Sequence, residues 1–568
     1  MSIGLSTSIA HCLRSVFLTS RFLKSAFLSI LFGVCFALPF IQHDYFPLGW
    51  VAFVPLLFAT SGMRFLPIYL LSLMGGVVAI VIGKYWIYNF VVLTQGFSDA
   101  TGLSIALMYW LYSAHYLVLL MLTFTFLSKN TRIYGSLLFP LCLCITDLYF
   151  PLLFPISLAD TQAKFTLSLQ AIDITGSLGL TFLMGWCNYT IFLWLKAVLK
   201  TNNAKEKICY AVQSMPKASL FTLFLPLLVA LAAWFSYGLY ASSFWQHQST
   251  LTPYSTWGVI QSNEKPAIEH YARYPGYSDT YPPEMDMTER LAAAGAEIVI
   301  WPEGQGKGYL NENIVKAAYH RQLAQLNTSV LFHDFETSYA LDEMQKYNAA
   351  ILLTPEQREP QRYDKIMRVP FGEYMPSFAR YTGISALFES SFNIEDSYLA
   401  KGSNTGLFKT GVSNTDLSKA TTQYIVPLIC YETTFPFFVT KTITNALENR
   451  PSSTVLVALS NDGWFDSKHQ ANQHILGSIL RGVENRVPLV HVTNNGPSIA
   501  TNLSGKIIFE SPANQAGGFL INVPHMQTTK PTIFNQYPYA LPTVLSFLFV
   551  ICLLMSFLAL HGKRLNSQ

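Results

Sequence analysis

Ile425-Val-Pro-Leu-Ile-Cys-Tyr-Glu432 is a short apolar run that ends on a thiol, followed at once by a phenol and a carboxylate. A run this short, rich in β-branched residues, reads as a buried strand rather than a helix. Two other stretches repeat the pattern. Glu297-Ile-Val-Ile-Trp-Pro-Glu303 ends on a carboxylate, and Val455-Leu-Val-Ala-Leu-Ser-Asn-Asp462 ends on an amide and a carboxylate. Further strand-like runs lie at 257–260, 329–332, 349–353 and 489–492, and helical spacing marks 285–296, 314–326, 437–448 and 470–484. Such alternation predicts an α/β domain. In open α/β sheets, ligand sites gather beyond the carboxyl ends of strands. Glu303, Cys430, Asn461 and Asp462 are therefore candidates to share one rim. The Ser-, Asn-, Gly- and Thr-rich stretch 386–422 lacks periodicity and reads as an irregular excursion able to act as a lid.

The rest of the chain is of another kind. Its 568 residues are 51% hydrophobic and only 12% charged, half the charge of an ordinary soluble domain at about 25%. This composition indicates an integral membrane protein, and the net charge of +4 gives no reason to expect a nucleic-acid partner. Eight apolar runs, at 22–41, 46–61, 66–93, 102–127, 133–153, 175–195, 220–241 and 540–560, are candidate spans. The first reads as a retained anchor, because no clean cleavage site follows it. Arg14, Arg21, Lys24, Arg64, Lys129, Arg132, Lys196, Lys200, Lys563 and Arg564 fall in alternate loops, and the short loops between carry no Lys or Arg. The positive-inside rule then puts both termini in the cytoplasm and the polar segment on the far side. The expected organisation is a seven-span membrane region (1–242), an extracytoplasmic α/β domain (243–539) and a last span with a short tail (540–568).

That exported segment holds one cysteine, Cys430, whereas the other seven lie outside it. Exported cysteines usually pair as disulfides. A solitary one is either packing or a reactive thiol. Activation needs a base to take the thiol proton and a cation to stabilise thiolate and oxyanion. Glu303 can supply the first. Lys365 can supply the second, and the Pro370-Phe-Gly372 turn brings Glu373 back towards it. No metal-ligand cluster and no Gly-rich phosphate loop stands out, so no cofactor is expected. Lys84, His115 and Asp147 lie within spans, where ionisable groups suggest function. For Lys84 the simpler reading is snorkelling to the surface beside Tyr85 and Trp86.

Together these segments resemble the nitrilase (carbon–nitrogen hydrolase) superfamily, with its Glu-Lys-Cys triad on an α-β-β-α sandwich. With the eight spans they resemble the bacterial apolipoprotein N-acyltransferases. The resemblance rests on Val259-Ile-Gln-Ser-Asn263, Ile298-Val-Ile-Trp-Pro-Glu303, Tyr347-Asn-Ala-Ala350, Tyr363-Asp-Lys365, Val369-Pro-Phe-Gly-Glu-Tyr-Met-Pro376, Ile429-Cys-Tyr-Glu432, Ser460-Asn-Asp-Gly-Trp-Phe465, Gln473-His474 and Thr493-Asn-Asn-Gly496. It implies that Glu303 is the general base, Lys365 the oxyanion cation and Cys430 the nucleophile, supported by Glu373, Tyr431 and Glu432. The simpler readings of the last two are that Tyr431 packs and Glu432 caps the next helix. The implied reaction moves an acyl chain from a phospholipid, typically phosphatidylethanolamine, through a thioester to the amino group of a diacylglyceryl-cysteine. It further implies a monomer in the bacterial inner membrane, with the catalytic domain periplasmic and no metal or cofactor. A membrane-tethered amidase acting on a small amide, and a non-catalytic lipid-binding or transport protein, remain the alternatives. Departures from the family pattern are Gly304-Gln305 after the base, Gly463 for Ala, His491 for Arg, and no Trp near His270 and Tyr271.

Overall fold

The computed structural model describes residues 20–94, 96–131, 135–201, 217–264, 275–304, 308–340, 343–355, 357, 359–377, 398–410, 423–449, 453–525 and 531–565. Helices α1 (Ser20–Ile41), α2 (Phe65–Gly83), α3 (Asp99–Asn130), α4 (Gly135–Tyr149), α5 (Ser177–Thr201) and α6 (Lys217–Leu251) form the membrane region. Among the described residues six helices are long and apolar enough to cross a membrane: these without α4, together with a C-terminal one from Ala540 to Gly562. At 15 residues, α4 spans about 22 Å, short of the ~30 Å hydrocarbon core. The last span and α6 leave Leu228, Leu239, Tyr240, Phe547, Leu554 and Leu558 exposed, an apolar surface of the kind that faces lipid.

The second expected span, 46–61, is not one continuous helix. It is a 3₁₀ turn (His43–Trp50) followed by a seven-residue helix (Val54–Thr60). Pro47 and Pro55 explain the break, since each removes a helical donor. The interrupted backbone is satisfied by side chains, as low-dielectric surroundings require. Gln162 donates to Phe46 O at 2.8 Å. Asn188 accepts from Phe53 N at 2.8 Å and donates to Gly49 O at 3.0 Å. Farther along, Lys196 donates to Ser61 Oγ at 2.8 Å, Lys129 to Met63 O at 3.4 Å and Arg21 to Ser61 O at 3.5 Å. The basic ends of α1, α3 and α5 thus meet at one loop. The opposite ends meet the α/β domain.

Of the intramembrane ionisable residues, Lys84 does not snorkel. It is 4% exposed and donates to Phe154 O at 2.6 Å, because the helix ends at Gly83 and turns the side chain inwards. His115 bonds Tyr69 OH at 3.1 Å, and Asp147 accepts from Tyr116.

Helix α6 runs past the expected boundary at 242 to Leu251 and leads directly into β1 (Tyr254–Gln261). There follow α7 (Pro283–Ala293), β2 (Ile298–Ile300), α8 (Asn313–Leu326), β3 (Ser329–Ala340), β4 (Glu343–Leu353), β5 (Gln361–Asp364), β6 (Phe408–Lys409) and β7 (Gln423–Ile429). Helix α9 (Pro436–Asn449), β8 (Ser453–Ser460), α10 (Lys468–Asn485), β9 (Leu489–Thr493), β10 (Ile499–Thr501), β11 (Ile507–Glu510) and β12 (Gly517–Pro524) complete the domain before α11 (Ala540–Leu565). Two six-stranded sheets result, ordered β12-β1-β2-β3-β4-β5 and β11-β10-β9-β8-β7-β6.

Side-chain alternation sorts the residues into layers. Trp257, Val259, Ile300 and Leu331 of one sheet meet Ile425, Ile429, Val457 and Val492 of the other in a shared core. On the outer face of the first sheet, Val299, Trp301 and Phe332 pack against Met285 and Leu291 of α7 and Tyr319 and Leu323 of α8. Behind the second sheet, Val426, Leu428 and Leu456 join Ile443 of α9 and Ile475 and Ile479 of α10. That last core continues without a break into Leu158, Leu169 and Leu180 of the membrane region. The architecture is an α-β-β-α sandwich whose second helical layer is wedged against the membrane helices. Buried polar bonds pin the junction: Arg486 pairs with Asp173 at 2.7 Å, and Gln473 donates to Gly83 O at 2.6 Å. Of the excursion at 386–422, residues 398–410 carry β6; the rest, with the lid reading placed on it, lies outside the described residues.

Candidate active site

Three strand ends deliver the chemistry. Glu303 follows β2, Lys365 follows β5 and Cys430 follows β7. The first two are buried, at 7% and 2% exposure. Lys365 Nζ lies 2.7 Å from Glu373 Oε1 and 3.9 Å from Glu303 Oε1. The turn after Lys365 is held by Glu373 itself, whose Oε2 accepts from Val369 N at 2.8 Å. Burial alone would lower the Lys365 pKa, but the carboxylates of Glu373 and Glu303 outweigh it and hold the ammonium above its ordinary value. Burial pushes the Cys430 thiol up, Glu303 and, less strongly, Asp462 add to this, and Lys365 and the Ser460 hydroxyl oppose it. The thiol is therefore stored protonated, beside a carboxylate able to receive its proton.

Cys430 also carries backbone strain. Its φ is 50°, a left-handed conformation costing a non-glycine residue about 1–3 kcal/mol. The strain arises where β7 breaks sharply into the 3₁₀ turn Cys430–Thr434. Glu432 fixes that turn. Fully buried, it accepts from Tyr363 OH (2.7 Å), Ile366 N (2.8 Å) and Met367 N (3.0 Å) through Oε1, and from Ile429 N (2.8 Å) through Oε2. It ties the Lys365 loop to the end of β7 and does not cap α9. Tyr431 packs edge-on against Phe435 and Phe154, and its hydroxyl donates to Leu153 O in the membrane region.

Glu303 is oriented by a relay not evident in the sequence. Gly304 N donates to His333 Nδ1 at 3.1 Å, so the neutral ring carries its proton on Nε2 and donates to Asn348 Oδ1 at 2.7 Å. The Asn348 amide then donates to Glu303 Oε1 at 3.2 Å. Burial drives the His333 pKa down to about 4, which keeps the ring neutral. Gly304 has φ 85°, and a Cβ there would stand 2.5 Å from Asn461 Nδ2. This departure from the family pattern thus has a steric reason. Beneath Cys430, Asp462, His474 and His491 come within 4.8 Å of one another, a convergence that their sequence separation concealed. Gln305, His270 and Tyr271 lie outside the described residues.

Residues 32–190 match the family model for the apolipoprotein N-acyltransferase N-terminal domain, and residues 273–528 match that for carbon–nitrogen hydrolase. An apolipoprotein N-acyltransferase of Geobacter metallireducens is 27% identical over 499 residues, covering 86% of this chain and 87% of the relative. The chain belongs to the apolipoprotein N-acyltransferase family. The N-acyltransferase of Haemophilus influenzae is 24% identical over 520 residues, covering 88% and 90% of the two chains. Apolipoprotein N-acyltransferase 2 of Treponema denticola is 32% identical over 238 residues, 41% of each chain. Both halves of an N-acyltransferase are thus present, and the strand ends carrying Glu303, Lys365 and Cys430 lie within the hydrolase-type half.

Proposed function

We propose that Cys430 is the acylated nucleophile of this apolipoprotein N-acyltransferase, with Glu303 as general base and Lys365 as oxyanion cation. The chain N-acylates the α-amino group of the diacylglyceryl-cysteine of apolipoproteins, the last step of lipoprotein maturation. In the first half-reaction, Cys430 Sγ attacks the sn-1 ester carbonyl of a phospholipid, for which we propose phosphatidylethanolamine. Glu303 takes the thiol proton, and the oxyanion develops against Lys365. Collapse breaks the ester C–O bond, and Glu303 returns the proton to the departing lysophospholipid oxygen. In the second, the lipoprotein amine attacks the thioester and Glu303 accepts an amine proton. The C–S bond breaks to leave an amide, and the thiol is reprotonated. Glu373 holds Lys365 in place, and Glu432 and Tyr431 position the nucleophile between the Lys365 loop and the membrane region.

The observation that carries this reading is the place of the candidate triad. Its nucleophile turn touches the membrane region through Tyr431 and Leu153, where two lipid-anchored substrates can meet. Arg21, Lys129 and Lys196 gather on the opposite face. By the positive-inside rule that face is cytoplasmic, which makes the catalytic domain periplasmic in the inner membrane. One chain supplies every group invoked, so a monomer suffices. The test offers purified protein a phospholipid and a diacylated lipopeptide. Amide-linked triacylated product supports the reading, whereas free fatty acid alone, or ammonia from small amides, overturns it in favour of hydrolysis.

A further inference from the structure

His474, on α10, faces the underside of the nucleophile turn. Its Nδ1 lies 2.8 Å from Asp462 Oδ1, and its Nε2 lies 3.1 Å from the carbonyl oxygen of Cys430. A peptide carbonyl can only accept, and so can an ionised carboxylate. Asp462 Oδ1 already accepts from Gln470 Nε2 at 3.2 Å, which marks it as an acceptor. Ser460 Oγ also lies 3.2 Å from Nδ1, but Asp462 is the nearer partner. An unprotonated Nδ1 would set its lone pair against a carboxylate oxygen at 2.8 Å. The ring therefore donates from both nitrogens, which only the imidazolium does. It has no lone pair left for a metal ion.

We propose that His474 is a positioning residue: an imidazolium held by Asp462 that grips the Cys430 carbonyl, locks the nucleophile in its left-handed conformation and places a fixed positive charge behind its thiolate. The proposal rests on the reading of Cys430 as the acylated thiol. The charged and titratable groups facing His474 are Asp462 from the turn after β8, Glu303 from beyond β2, Cys430 from beyond β7 and His491 from β9. His491 stacks edge-on at 4.9 Å between ring centroids. Burial first, and then His474 itself, drives the His491 pKa down to about 3, so this neighbour stays neutral. Burial would lower the His474 pKa, but Asp462 outweighs it and the net direction is upward. A group raised in this way keeps its arrangement at low and neutral pH and loses it as pH rises through the folded-state value.

The test uses full-length protein in detergent, with no acceptor, and follows acylation of Cys430 by the first-turnover release of lysophospholipid. The pH runs from about 6 to about 9.5, across and above the ordinary histidine range. Wild type should lose rate on the alkaline side. His474→Gln should be slower by about 30-fold, the scale of a small misplacement of a reacting atom, and should show no alkaline fall. Asp462→Asn keeps the shape but removes the charge that holds the proton, so the fall should move down by about a pH unit or more. Monodispersity and tryptophan fluorescence report folding, and if His474→Gln does not fold, Asp462→Asn carries the test. Acylation in folded His474→Gln within about threefold of wild type, or an unmoved alkaline fall in folded Asp462→Asn, overturns the role of His474 and leaves the nucleophile standing. Absence of any acyl group on wild-type Cys430 removes the nucleophile, and this proposal with it.

Discussion

Glu432→Gln should cripple thioester formation without touching a reacting atom. The carboxylate accepts four hydrogen bonds, three on Oε1 and one on Oε2. A glutamine has one acceptor oxygen. In its better orientation it keeps the contacts to Tyr363, Ile366 and Met367 and turns an NH₂ group against Ile429 N–H. That forfeits one hydrogen bond to a charged group and leaves a buried donor unmet, together about 3 kcal/mol. The other orientation loses three bonds and costs more. Ile429 immediately precedes Cys430, and Ile366 immediately follows Lys365, so the strain falls on the spacing between thiol and ammonium. A displacement near 1 Å there costs about 100-fold in rate. The assay is first-turnover lysophospholipid release by folded variant and wild type at saturating phospholipid, where a positioning defect lowers the rate constant and leaves half-saturation little changed. A Glu432→Gln rate within about threefold of wild type would refute the claim that this carboxylate sets the site.

Other perturbations follow from the same contacts. Gly304→Ala places a Cβ at φ 85° and 2.5 Å from Asn461 Nδ2; it should cost about 1–2 kcal/mol of stability and slow acylation by about tenfold, read in the same burst assay. His333 is neutral in the fold down to about pH 4, whereas the unfolded chain takes up its proton near 6.5. Stability should therefore fall as pH drops between these values, by up to about 3 kcal/mol from this group. Thermal unfolding of His333→Asn, which removes the titrating ring and can still accept from Gly304 N, should show a smaller acid loss than wild type, and equal losses would contradict the assignment. Asn188→Leu strips the partners from Phe53 N and Gly49 O, at about 1–3 kcal/mol each. It should lower the thermal midpoint while leaving the turnover of the folded fraction unchanged.

Much of this was legible because two periodicities carry it. The sandwich core strands β1, β2, β7, β8 and β9 bury continuous apolar runs, and the spans are long apolar stretches. Strands β6, β10 and β11 were missed because they are two to four residues long and owe their conformation to a neighbour, and β12 because it opens on Gly517-Gly518 and is exposed at alternate positions along its first half. The β3–β4 hairpin extends well beyond its apolar part, with Phe335 paired to Asn348 and Glu336 to Tyr347, so its polar arm resembles a loop in sequence. The break at 43–60 was hidden because its stabilisers, Gln162 and Asn188, lie more than a hundred residues away. Glu303 and Cys430 could be singled out as polar residues ending apolar strands, whereas Lys365 follows the polar strand β5 and stood out only as the cation that a thiol–carboxylate pair requires. The His333–Asn348 relay and the Asp462–His474 pair could not, since their roles depend on which strand ends meet in space. The left-handed backbone of Cys430 is likewise a property of the turn and not of the residue.

The most direct measurement is the mass of the peptide bearing Cys430 after purified protein has met phospholipid without acceptor. The expected result is one acyl chain on Cys430, removed by hydroxylamine, discharged to a diacylated lipopeptide as an amide, and missing from Cys430→Ala. Triacylated product formed with Cys430 unmodified, or formed undiminished by Cys430→Ala, would contradict it.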